Sequence, residues 1–151
     1  MDNDSQVSAL KTLTTTLIDS INGYDEAAEN TENQRFKQLF REHAQDRRQV
    51  ADDLSSEIRR LGGDAPDDGS FMGKTHQAWL DLKAAVTGQD DERVINSVEA
   101  GEDYLKEKFE TALDSDELTG EVRQAVERAY QSVRSGHDQI SRIKHQMDAN
   151  D

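Results

Sequence analysis

The 151-residue chain carries 32 acidic and 18 basic residues, a formal net charge of −14, one proline and no cysteine. Its length fits a single domain, and without cysteine it can form no disulfide, thiolate metal site or cysteine nucleophile. The negative charge disfavours contact with nucleic-acid phosphates and with anionic membrane surfaces, so we expect neither as a partner.

The first predicted element is a long helix from about Ser5 to Glu29. Apolar residues recur in it at spacings of three and four, which places them on one helix face. That face consists of Leu10, Leu13, Leu17, Ile21, Tyr24 and Ala28. The polar run Asn30–Asn33 ends the pattern, so we expect a turn there.

A second long helix is predicted after this turn. Thr31 and Gln34 have the spacing of a capping box, which marks a helix N-terminus. The inward face comprises Phe36, Leu39, Phe40, His43, Val50, Leu54, Ile58 and Leu61. Gly62-Gly63 ends the helix, because glycine readily takes the left-handed conformation that often follows a helix C-terminus.

A long connection is predicted at about residues 62–90. Its first part, Gly62–Gly73, holds the only proline and predicts a loop. A short helix follows from about Lys74 to Val86, and Thr87-Gly88 ends it. The apolar side of this short helix consists of Trp79, Leu82 and Val86.

Two further long helices complete the pattern. Asp90 or Asp91 can cap the third, Asp114–Gly120 forms a turn, and the fourth runs from Glu121 to about Met147. The third helix has the face Val94, Ile95, Val98, Leu105, Phe109 and Leu113. The fourth has the face Val122, Val126, Ala129, Val133, Ile140, Ile143 and Met147. Residues 148–151 are expected to fray.

These elements predict an all-α protein that forms one domain over residues 1–151. Short turns make the first and second helices antiparallel neighbours, and likewise the third and fourth. A helix of about 25 residues is about 37 Å long, so the connection at 62–90 can return along the whole bundle. This favours a ferritin-like four-helix bundle with one long crossover. A simple up-down bundle and a helix swap between two chains remain alternatives.

The sequence also indicates a compartment. No apolar run approaches the roughly 18 residues of a membrane span, and the start MDNDSQ lacks the apolar core of a signal peptide. We therefore expect a cytoplasmic protein that does not enter membranes. The excess of Asp over Glu fits a saline cytoplasm and a genome-wide base-composition bias equally well.

A standard di-iron site is not predicted. In carboxylate-bridged bundles, two of the helices each supply a Glu-x-x-His element. The residues three positions before the four histidines are Phe40, Gly73, Arg134 and Arg142, and none of them is acidic. A ferroxidase is therefore not expected, and enzymatic activity of any kind is disfavoured.

Polar residues nevertheless interrupt the apolar faces near the middle of the bundle. Counting from the turns places His43, Glu99 or Glu102, and His137 at similar heights. One interpretation is an atypical or degenerate metal site for Fe, Zn or Mn, since imidazole and carboxylate groups suit these ions. The favoured alternative is a buried hydrogen-bonded network in which Arg47 and Arg134 neutralise the acids.

Two smaller candidates remain. His76, Trp79 and Lys83 share one side of the short helix and could form a partner surface, although an isolated Trp more often packs against a core. Tyr24 lies near Asp25 on the first helix, and the favoured interpretation is a buried tyrosine that finds an acceptor.

Several motifs together resemble a known family. They are Gly69-Ser70-x-x-Gly73-x-x-His76-x-x-Trp79-x-x-x-Lys83, Thr87-Gly88-x-Asp90-Asp91, Glu99-x-Gly101-Glu102-Asp103 and His137-Asp138. The chain is similar, from about Leu10 to Met147, to a bacterial family of ferritin-like four-helix bundles known only as a domain of unknown function. The resemblance implies a crossover bundle and a cytosolic bacterial protein, and it brings with it no established activity, substrate or metal. Many members have a cysteine where this chain has Val98, so thiol chemistry does not transfer.

We therefore expect a non-enzymatic bundle that binds a protein partner or a second copy of itself. Self-association would give a homodimer, and stress physiology is one role that such a protein could have. The alternative is a metal-binding bundle that uses Glu99, Glu102, His137 and His43. A cofactor-binding enzyme with a pocket near His76 and Trp79 is the third and most distant hypothesis.

Overall fold

The computed structural model describes residues 3–67 and 77–149, and these ranges contain five helices. The helices are α1 (Asn3–Asn30), α2 (Gln34–Arg60), α3 (Gln77–Thr87), α4 (Asp91–Asp114) and α5 (Gly120–Ala149). No strand occurs in the two described ranges. The all-α prediction is confirmed, and each predicted long helix is present to within a few residues at either end.

The start of α2 differs from the capping-box prediction. Asn33, not Thr31, is the N-cap, and its side chain accepts a hydrogen bond from the Phe36 backbone N–H. Asn33 has the extended backbone of an N-cap and is a stronger capping residue than threonine. The Thr31 hydroxyl instead accepts from the Asn33 N–H at 3.2 Å. At α4, Asp90 is the cap, as one of the two predicted candidates.

The glycine pair ends α2 in the predicted way. Gly62 has φ +87°, its N–H donates to Arg59, and the Gly63 N–H donates to Ile58, each over 2.9 Å. These two bonds form a Schellman motif, which satisfies carbonyl groups at the end of a helix. The sequence signal for this terminus is confirmed.

The chain leaves α2 at one end of the bundle and enters α4 at the other. Gly63 lies against Val7, near the start of α1. Gln89, just before α4, donates to the Asn30 carbonyl and accepts from the Glu32 N–H, each over 3.1 Å, at the opposite end of α1. The connection between α2 and α4 therefore joins opposite ends of the long helices.

The directions of the helices follow from their contacts. Arg60 lies 3.5 Å from Glu121, and His43 lies 3.0 Å from Gln139, so α2 and α5 run antiparallel. A short turn joins α4 to α5, and these two helices also pack antiparallel. Hence α2 and α4 point in the same direction and lie diagonally across the bundle, and each packs against both α1 and α5.

Within the described residues the core forms two hydrophobic clusters, and each contains residues from all four long helices. The second cluster also takes Trp79, Leu82, Ala85 and Val86 from α3. The apolar residues predicted to face inward are buried, apart from Leu61, Leu113 and Met147, which are partly buried near helix ends. None of the described helices combines the length and apolar character needed to cross a membrane.

Candidate functional site

The deepest charged group in the described structure is the carboxylate of Glu102 on α4, which is fully buried. Arg47 reaches it from α2, and its Nη2 donates to Oε1 over 2.8 Å and to Oε2 over 2.5 Å. The hydroxyl of Tyr24, on α1, also donates to Oε1. Three helices thus supply one buried, hydrogen-bonded cluster.

A glycine on the fourth long helix makes room for the arginine. A Cβ at Gly136 in α5 would lie 2.9 Å from both terminal nitrogens of Arg47 and 3.2 Å from Cε1 of His43. Real Cβ atoms rarely come so close to other atoms, so a larger residue at this position would displace the guanidinium. The α5 backbone therefore forms one wall of the cluster.

His43 connects the cluster to the outer side of α5. Its Nδ1 lies 3.7 Å from Oε1 of Glu102, and its Nε2 lies 3.0 Å from Oε1 of the exposed Gln139. Among the described residues, His43 Nδ1 and Arg47 Nε are buried without a hydrogen-bond partner. The cluster thus retains unused polar atoms on two of its side chains.

The charges of the cluster are fixed at neutral pH. Burial raises the pKa of Glu102, but Arg47, His43 and Tyr24 outweigh it and lower that pKa to about 2. Burial and the neighbouring Glu102 hold the Tyr24 pKa well above its usual range. Burial opposes the charge of Arg47, yet Glu102 raises the arginine pKa overall. Glu102 is therefore a carboxylate, Arg47 a cation and Tyr24 a neutral phenol.

Trp79 of α3 closes the cluster from outside. Its ring meets that of Tyr24 edge-on at 5.5 Å. The indole fits between Gly23 on α1 and Gly101 on α4, where added Cβ atoms would each come within 2.5 Å of it. Tyr24 and Glu102 directly follow these two glycines in sequence. The glycines form the space that holds the indole, which we call the indole seat, and the residues after them form the buried hydrogen bond from Tyr24 to Glu102.

The other two predicted ligand positions lie on the α4–α5 surface. Glu99 accepts from Lys144 over 3.0 Å and from Ser141 over 3.1 Å. Burial raises the pKa of Glu99, but the bonds from Lys144 and Ser141 outweigh it and lower that pKa. Glu99 is thus a half-buried partner of a lysine, separate from the Glu102 cluster.

His137 bridges two aspartates. Its Nε2 lies 2.6 Å from Asp103 and its Nδ1 lies 3.2 Å from Asp138. A protonated imidazole carries a hydrogen on each ring nitrogen, so in that form His137 can donate to both carboxylates at once. Burial opposes this charge, while the bonds to Asp103 and Asp138 raise the His137 pKa overall.

The structure therefore brings Glu102 and His43 together and places Glu99 and His137 elsewhere. Within residues 3–67 and 77–149, no three His, Asp or Glu side chains gather in an arrangement that could hold a metal ion. The buried-network interpretation describes Arg47 and Glu102 correctly. Arg134, the second suggested neutralising arginine, is an exposed residue 4.0 Å from Asp138.

The three predicted crossover residues have different surroundings. Trp79 is buried, as the packing interpretation predicted, and Lys83 is exposed and lies 3.2 Å from Glu26. His76 lies outside the described residues. A surface formed jointly by these three side chains therefore stays a prediction.

Three glycines and one glutamine at this site were not predicted. Gly23, Gly101 and Gly136 each interrupt a helix interior, where glycine is unfavourable, and that was the available signal. Gln139 gave none, because an exposed glutamine on a helix is unremarkable in sequence.

The family comparison covers most of the bundle. The family model described as Domain of unknown function (DUF2383) matches residues 5–115, which include nearly all of α1 and the whole of α2, α3 and α4. No curated protein matches the chain.

Proposed function

The chain belongs to the DUF2383 family, a domain of unknown function. We propose the function of this protein from the side chains of the protein itself. It is a non-enzymatic helical bundle that acts by binding a protein partner or a second copy of itself. The observation that carries this proposal is the buried Arg47–Glu102 pair. The two opposite charges neutralise each other, so the cluster of Tyr24, Arg47 and Glu102 stabilises the folded bundle.

The ionisation of the cluster supports a structural role. A general acid or base works best when its pKa is near the operating pH. The pKa of Glu102 is about 2, and that of Tyr24 is raised well above its usual range. Neither group exchanges protons readily near neutral pH, so Glu102 and Tyr24 are poorly suited to act as a general acid or a general base.

We also propose the ferritin-like arrangement within a single domain over residues 1–151. The parallel α2 and α4 and the connection between opposite ends support this arrangement. The two core clusters support one domain, because each contains residues from all four long helices.

Metal binding by Fe, Zn or Mn is the second candidate, and one observation favours it. The unpaired Nδ1 of His43 lies 3.7 Å from the Glu102 carboxylate, and both groups are ligands that these ions accept. The guanidinium of Arg47 opposes it, because a fixed cation already contacts both carboxylate oxygens.

Two measurements on untagged protein separate these functions. Light scattering over a wide range of concentrations should show a concentration-dependent dimer, or a stable monomer that forms a complex with a specific partner. Elemental analysis should show no stoichiometric metal. Stoichiometric Fe, Zn or Mn that Glu102→Gln removes would reject the partner-binding proposal in favour of the metal-binding one.

A further inference from the structure

We propose that Tyr24, His43 and Glu102 form a cation site whose resident cation is the guanidinium of Arg47. This inference goes beyond the proposed function, because it assigns a ligand class to the interior of the bundle. The site is closed to free ions while Arg47 is present. When that side chain is shortened, the same three groups should bind an external cation.

The need for a cation follows from the burial of Glu102. An ionised carboxylate with no exposure to water must be paired, since burying an isolated charge is very unfavourable. Tyr24 donates a hydrogen bond to this carboxylate, and Arg47 supplies a positive charge in direct contact with both of its oxygens. When the arginine is removed, Glu102 must either take up a proton or pair with another cation, so a cation that binds there competes with protonation.

The ligand atoms around this position suit a small ion. First-row transition ions bind nitrogen and oxygen ligands at about 2.1 Å, so two ligands of one ion can be up to about 4.2 Å apart. The 3.7 Å between His43 Nδ1 and Glu102 Oε1 lies within this span. His43 Nδ1 is also buried without a hydrogen-bond partner, so it is available as a ligand.

The described residues do not fit a divalent ion while Arg47 is in place. Its Nη2 contacts both oxygens of Glu102, and its positive charge would repel a second cation. The α5 backbone at Gly136 lies directly behind the guanidinium, which leaves the side chain little room to move toward α5. The arginine is thus a tethered cation.

The test uses Arg47→Ala, which removes the guanidinium and keeps the three surrounding groups. Its thermal unfolding is compared with that of the wild type in the presence of Zn(II), Mn(II) or low guanidinium chloride. We expect a saturable rise of several degrees in the Tm of the variant, and no saturable rise for the wild type. The matched control is Arg47→Ala with Glu102→Gln, which should lose the response.

Two further results decide the proposal if Arg47→Ala does not fold by itself. Folding restored by Zn(II), Mn(II) or guanidinium ion, and absent in the variant that also carries Glu102→Gln, would support it. No response of Arg47→Ala to any of the three cations would overturn it. A wild-type Tm rise that Glu102→Gln abolishes would also overturn it, since Arg47 would then not fill the site.

These outcomes differ from those that reject the proposed function. Stoichiometric metal in the wild type that survives Glu102→Gln would contradict the non-metal proposal, and it would leave Arg47 as the cation of the Glu102 site.

Discussion

Arg47 and Glu102 meet across the diagonal of the bundle. They lie on α2 and α4, which point in the same direction and share α1 and α5 as neighbours. A single nitrogen, Nη2, contacts both carboxylate oxygens, and the two side chains are 1% and 0% exposed. The pair therefore links the two helix hairpins at their centre.

Breaking this pair should destabilise the protein more than removing it. Glu102→Gln or Arg47→Met leaves one buried charge without its partner, and we expect each to cost about 3–5 kcal/mol of unfolding free energy. The double variant removes both charges and should recover much of that loss. Urea unfolding followed by circular dichroism measures all three. Additive losses in the double variant would show that the two charges do not interact.

Acid should weaken the wild type through Glu102. Its folded pKa of about 2 lies below the ordinary 4.5, so its stabilisation is complete above pH 4.5 and is lost as the pH falls toward 2. Within that window the slope contributed is at most about 1.4 kcal/mol per pH unit. The free energy of unfolding of Arg47→Met with Glu102→Gln should fall less steeply than that of the wild type. Parallel curves for the two proteins would contradict this assignment.

An alanine at Gly101 should loosen the seat of Trp79. The new Cβ would lie 2.5 Å from the indole, so the ring or α3 must shift, and we expect a loss of about 1–3 kcal/mol. Trp79 is the only tryptophan, so its fluorescence reports both the environment and the unfolding. Gly88→Ala is the matched control, because its Cβ would meet nothing closer than 3.6 Å. Equal stability of the two variants would argue against a tight seat.

The His137 bridge should respond to alkaline pH. Burial lowers its pKa, but the bonds to Asp103 and Asp138 raise it above 6.5 overall. The bridge therefore stabilises the fold fully below about pH 6.5, and this contribution is lost as the pH rises through the folded pKa. An NMR titration should show the raised pKa, and Asp103→Asn should lower it. A wild-type ring that titrates below 6.5 would contradict the raised pKa of His137.

The two polar residues before α2 should differ in their effect on stability. Asn33→Ala removes the acceptor for the Phe36 N–H and the donor to Asp91, so we expect a loss of about 1 kcal/mol. Thr31→Ala removes only an acceptor for the Asn33 N–H and should cost less. Thermal unfolding of both variants gives the order. A larger loss of stability for Thr31→Ala would indicate that Thr31, and not Asn33, is the main capping residue of α2.

The helices and their buried faces could be predicted because each property is local. A spacing of three and four marks one side of a helix, whatever the rest of the chain does. The exceptions, Leu61, Leu113 and Met147, lie near helix ends, where the neighbouring helix no longer covers the side chain. Periodicity alone cannot show where that cover stops.

The candidate site was less accessible because it depends on rotation between helices. Glu99 and Glu102 both flank the apolar face of α4 and differ by about 60° around the helix axis. Counting from the turns gave their heights but could not decide which one faces the interior. The structure turns Glu102 inward and Glu99 toward Lys144. The space for Trp79 could not be predicted for a similar reason. Gly23 and Gly101 are far apart in sequence and form one site only when α1 and α4 pack side by side.

The adjacent pairs Gly23-Tyr24 and Gly101-Glu102 have a consequence for assembly. Neighbouring helical residues differ by 1.5 Å in height and about 100° in direction. At nearly the same height, therefore, the glycine of each pair leaves space for the indole outside, and the residue after it directs a polar group into the bundle. Sliding α1 past α4 by one turn would separate the phenol from the carboxylate and split the indole seat at the same time. The two pairs thus favour one relative position of α1 and α4. A bundle with these helices out of register would lose the buried hydrogen bond and the packing of the indole together.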